Sequence, residues 1–75
     1  MNIGNWTIKA AKHIQLLIHT GRSEVVAFDG GDILAAVMLN KGSLIIKTFK
    51  GFVRVDEFKR EVHIYPDCED LDEHL

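Results

Sequence analysis

Leu44-Ile45-Ile46-Lys47-Thr48-Phe49-Lys50-Gly51-Phe52-Val53-Arg54-Val55-Asp56-Glu57-Phe58-Lys59-Arg60-Glu61-Val62-His63-Ile64-Tyr65 is the stretch on which the fold of this 75-residue chain turns. It can be threaded as a three-strand meander. With Lys50-Gly51 as a two-residue turn, Phe49 faces Phe52, Thr48 faces Val53, Lys47 faces Arg54 and Ile46 faces Val55. With Glu57 to Arg60 as the next turn, Asp56 faces Glu61, Val55 faces Val62, Arg54 faces His63, Val53 faces Ile64 and Phe52 faces Tyr65. Side chains alternate across a strand, so Ile46, Val53, Val55, Val62 and Ile64 share one face and are the predicted core. A one-residue slip would invert that face.

The opposite face then carries an aromatic row, Phe49, Phe52 and Tyr65, beside a basic row, Lys47, Arg54 and His63. Like charges placed opposite each other cost stability, and aromatics exposed beside cations are what a stacking surface for bases uses. The candidate ligand-binding residues are therefore Lys47, Phe49, Lys50, Phe52, Arg54, His63 and Tyr65, with Lys59 and Arg60 as further phosphate contacts. The competing explanation is structural. Phe49 and Phe52 could pair against another subunit, with the Lys47 and Arg54 stems lying over their edge.

Outward from this stretch, glycines at Gly21, Gly30, Gly31, Gly42 and Gly51 separate apolar runs of strand length. Turn signals spaced by roughly 8 to 12 residues point to an antiparallel sandwich or barrel. Asp29-Gly30-Gly31 and Asn40-Lys41-Gly42 suit hairpins with a bulge, and Thr20-Gly21-Arg22-Ser23 a looser turn. From Trp6 to Ile18 the alternation reads as one strand near Thr7 to Ala10 and another from His13 to His19, broken at Ala11-Lys12. The same residues also fit one helical face. Ile33 to Leu39 is unbroken and apolar, which reads as a strand buried on both faces. Asp32 and Gly42 would equally serve as helix caps there. Pro66 closes the last strand, because it cannot donate a ladder hydrogen bond.

Composition limits the function classes. Residues 1–66 form a single mainly β domain in this reading, a small antiparallel meander closed as a compact barrel or sandwich, with one short helix at the N-terminus or at 33–40 as the variant. Residues 67–75 form an acidic tail. The body holds nine basic residues against six acids, whereas Asp67, Glu69, Asp70, Asp72 and Glu73 make the tail purely acidic. Such a tail competes with anionic ligands or engages a basic partner, or is simply a solvated terminus. A hydrophobic content of 47% in so short a chain favours burial of the surplus between copies, through at least one of Ile33, Leu34, Val37 or Leu39. Cys68 is the only cysteine, so no intrachain disulfide forms and a cytoplasmic location is the simplest expectation. No window is long enough to span a membrane.

Catalytic and metal chemistry find no motif. His13 and His19 lie about 20 Å apart if they share a strand, and Asp67, Cys68, Glu69 and His74 match no zinc or calcium spacing. Ser23 and Ser43 lack a nucleophile elbow, and acids around Cys68 disfavour its thiolate. Gly30-Gly31 has no phosphate-loop context. The expectation is a non-enzymatic binding protein without cofactor, taking single-stranded nucleic acid or a nucleotide. The alternative is a protein-interaction module or inhibitor using the same face and the tail.

Two local patterns point the same way. Lys50-Gly51-Phe52 with Val62-His63-Ile64-Tyr65 distantly resembles the paired RNA-binding motifs of cold-shock domains, which set aromatics on adjacent strands. Val53 and Arg54 stand where that family has a glycine and an aromatic. Asn40-Lys41-Gly42-Ser43-Leu44-Ile45-Ile46, with Ile8-Lys9-Ala10, resembles a strand entry of ring-forming tryptophan-responsive RNA-binding attenuation proteins. The chain is assigned to neither family.

Overall fold

Short apolar runs punctuated by turn residues build β1 (Asn2–Ile3), β2 (Trp6–Ala10), β3 (Gln15–His19), β4 (Glu24–Asp29), β5 (Asp32–Asn40), β6 (Ser43–Thr48), β7 (Phe52–Asp56) and β8 (Glu61–Tyr65). The only helical piece among the described residues is a three-residue 3₁₀ turn at Thr20–Arg22. The computed structural model describes residues 1–66, so the acidic tail lies outside the described residues. No described helix is long and apolar enough to cross a membrane.

The strands form two four-stranded sheets, a terminal sheet ordered β1-β2-β8-β7 and a central sheet ordered β3-β4-β5-β6. Neither closes into a barrel. The central sheet is an unbroken antiparallel meander. In the terminal sheet, strands from the two ends of the domain meet as the parallel pair β2–β8, where Ile8 faces Val62 and Ala10 faces Ile64. Ile8, Val62 and Ile64 from this sheet share one buried cluster with Val25, Ala27, Leu34 and Val37 from the other. Removing that apolar area from water is the main favourable term of folding.

Several expectations hold in register. β7 and β8 pair as read, from Phe52 opposite Tyr65 to Asp56 opposite Glu61. The hairpin expected at Asn40-Gly42 forms, but as a two-residue loop without a bulge, because Asn40 pairs with Ser43 and the φ values of Lys41 and Gly42, +52° and +82°, match a type I′ turn. Gly30-Gly31 joins β4 to β5, and the break after β2 runs over residues 11–14, longer than the expected Ala11-Lys12, so that β3 starts at Gln15 rather than at His13. Ile33 to Leu39 is strand rather than helix. Neither variant helix forms, because both segments bury residues on strand ladders instead.

The hairpin expected at Lys50-Gly51 does not form. β6 pairs with β5 in the central sheet, and residues 49–51 carry the chain across to the terminal sheet. A bulge causes this route. The β4–β5 register shifts between Ala27 and Phe28, so that Ala27 faces Ala35 and Phe28 faces Ile33, leaving Leu34 unopposed. Leu34 and Ala35 are thus buried consecutively. The Leu34 carbonyl accepts from the N–H groups of Phe49 (2.8 Å) and Gly51 (3.1 Å), and the Ile33 carbonyl accepts from Lys50 N–H (3.2 Å). The β5 bulge thereby anchors the crossover. Of the predicted core, Val62 and Ile64 are fully buried and Ile46 and Val53 pack against the cluster. Val55 shares their face but stays 37% exposed, because it lies near the end of an edge strand.

Candidate functional site

On the outward face of the terminal sheet, strand alternation and the pairing of β2, β8 and β7 set side chains in rows. Lys9 faces His63, which faces Arg54. Thr7, Glu61 and Asp56 form the row on one side, and Tyr65 with Phe52 the row on the other. The rings of Phe52 and Tyr65 stack at 4.8 Å between centroids, 18° from parallel.

Glu61 organises the charges. Its Oε2 lies 2.9 Å from Lys9 Nζ, and its Oε1 lies 3.2 Å from His63 Nε2. The hydrogen bonds from Lys9 and then His63 hold its carboxyl below the ordinary 4.5, because both stabilise the ionised form. Arg54 is exposed and has no ion-pair partner among the described residues. Asp56 Oδ1 accepts the Lys59 backbone N–H at 3.0 Å, fixing the turn that brings Lys59 alongside Arg54.

Two depressions flank the ridge made by His63 and Tyr65. The first, about 260 Å³, is mostly apolar and is lined by Lys9, Ala11, Tyr65 and Pro66 among others. The small Ala11 side chain leaves this space beside Tyr65. The second, about 190 Å³, is polar and is lined by Arg54, Asp56, Lys59, Glu61, His63 and Tyr65. An apolar recess beside an aromatic ring, next to a polar recess in which Arg54 and Lys59 are matched by Asp56 and Glu61, suits a planar heterocycle whose anionic part meets the exposed Arg54 guanidinium.

Of the residues expected from the sequence, Phe52, Arg54, His63 and Tyr65 come together on this face. The other three do not. Lys47 faces Ala36 on the central sheet, Phe49 lies in the crossover, and Lys50 Nζ pairs with Asp32 Oδ1 at 3.1 Å. These are consequences of β6 joining the other sheet. Arg60 is also engaged, its guanidinium lying 5.3 Å from the ring of the buried Trp6. Lys9 joins this face although the sequence alone does not single it out. Alternation put it on a polar face, but only the non-local β2–β8 pairing sets it beside His63. Among the described residues, no group of three His, Cys, Asp or Glu side chains could hold a metal ion.

No family model, curated protein or solved structure matches this chain.

Proposed function

We propose that the outer face of the terminal sheet binds a nucleotide unit, as part of single-stranded nucleic acid or free, without catalysing a reaction on it. The observation that carries this reading is the Lys9, His63, Arg54 row lying directly beside the Phe52–Tyr65 stack. A base would lie in the apolar recess against Tyr65, while Arg54 and Lys59 meet the phosphate in the polar one. Glu61 neutralises part of the row and Asp56 offsets Lys59 in the polar recess, so Arg54, unpaired among the described residues, supplies most of the attraction. A cytoplasmic role accords with the single cysteine.

Binding of labelled oligonucleotides across a salt series tests the proposal. Arg54→Ala is expected to weaken binding and to lower the salt slope by about one unit, since one phosphate contact is lost. Tyr65→Ala is expected to cost about 1–3 kcal/mol with the slope nearly unchanged, as loss of a stacking contact predicts. Deleting residues 67–75 removes five acids and should tighten binding. Absence of oligonucleotide and nucleotide binding at low salt, with and without the tail, would reject the reading.

One observation favours a protein-interaction module instead. Phe58, at the tip of the β7–β8 turn, is 97% exposed, and a projecting aromatic is a common anchor for a partner's pocket. Phe58→Ala would abolish partner binding in that case and leave the oligonucleotide titration unchanged.

A further inference from the structure

The outward face of the central sheet carries an apolar patch that runs across all four strands, bordered by Gln15, His19, Glu24, Asn40 and Lys47, and a two-layer protein does not require such a patch. Leu17, Val26 and Ala36 stand side by side across β3, β4 and β5, and Met38 faces Ile45 in the adjoining row. Phe28 faces Ile33 beyond them. Leu17, Ile33 and Ile45 are 58%, 40% and 37% exposed. β5 is therefore apolar on both sides, a composition found in strands covered by a layer on each face. Among the described residues, only one of those layers is present. A groove of about 350 Å³ between Leu17, Val26 and Phe28 marks where side chains from such a layer would insert.

We propose that this face is the interface of a two-fold symmetric dimer, in which the central sheets of two copies pack face to face. A two-fold interface must be self-complementary, because the same patch lies on both sides. This patch meets that condition. Its formal charges are one acid, Glu24, and one base, Lys47, whereas a patch of one sign would repel its own copy. The chain's own segment 67–75 is a poor cover, since five of its nine residues are acids. Four strands about 4.8 Å apart, each presenting about 17 Å of length, give a face on the order of 300 Å² in projection. Specific interfaces remove about 800 Å² of accessible surface per partner, so this face is smaller than the standard size and the dimer is expected to be weak. Ile33, alone among the four residues expected at an interface, is both exposed and on this face. Face-to-face packing sends the two terminal sheets outward on opposite sides, leaving both Lys9-His63-Arg54 rows free.

Sedimentation velocity of the full chain, from low to several hundred micromolar, is the test. The expected result is a monomer–dimer equilibrium whose dissociation constant rises at least about tenfold in Leu17→Lys and in Ile45→Lys, since either variant would bury an unpaired ammonium. Both positions are exposed on edge strands, so the substitutions are compatible with folding. A second measurement does not depend on them. In a Cys68→Ser background, Ala36→Cys near the centre of the patch should cross-link into a covalent dimer with a short bis-maleimide, whose reach of about 10 Å matches the spacing of packed sheets, and Phe58→Cys on the far turn should not. A monomer throughout the concentration range, a dimer unaffected by both lysines, or cross-linking of Phe58→Cys but not Ala36→Cys would each overturn the proposal.

Discussion

Gly51 lies where the crossover that the β5 bulge anchors passes tightly between β5 and β8. A Cβ there would press on the Tyr65 carbonyl oxygen and stand 2.8 Å from Leu34 Cβ. The glycine serves close approach of the crossover to β5 and β8, rather than the conformation of a turn. Gly51→Ala should therefore destabilise the fold by about 1–3 kcal/mol, the usual cost of forcing extra volume into a packed site. Denaturant unfolding checks this, and an unchanged midpoint would contradict it. The same residue explains the misread hairpin. A glycine after a lysine looks alike in sequence whether positive φ or empty space requires it. At Lys41-Gly42 the requirement is positive φ, at Gly51 it is room, and only the second depends on residues distant in the chain.

Elements read well where pairing is local. β7 and β8 are joined by a four-residue turn, and alternation of Val53, Val55, Val62 and Ile64 leaves a single register that buries both strands on one side. That half of the candidate face, with Phe52, Arg54, His63 and Tyr65, was legible for this reason. The other half depends on β2, which lies more than fifty residues earlier and joins β8 in parallel. No turn specifies such a pairing. β2–β8 is also where Glu61 links the strands. Its folded carboxyl titrates below 4.5, held down first by Lys9 and then by His63. A depressed carboxylate contributes stability in full above its ordinary value and loses it as the pH falls through the lower folded value. Lys9→Met should therefore destabilise the protein near neutral pH, and the difference should shrink as the pH falls from 4.5 toward that lower value. A difference independent of pH in denaturant unfolding would contradict the link.

For the molecule as a whole, a meander of four strands is held between a first and a last pair of strands that complete the other sheet. Folding must bring the ends of the domain together before Ile8, Val62 and Ile64 can be buried. The same closure creates the face on which Lys9, His63 and Arg54 align. The proposed binding therefore depends on the same topology, and an oligonucleotide should report on the β2, β7 and β8 face alone. The most direct test is a heteronuclear NMR titration of the isotopically labelled chain with a short single-stranded oligonucleotide at low salt. Shifts are expected to progress together at Lys9, Arg54, His63 and Tyr65, with the outer face of the central sheet unmoved. An unchanged spectrum, or shifts confined to the central sheet around Leu17, Ala36 and Ile45, would contradict the account.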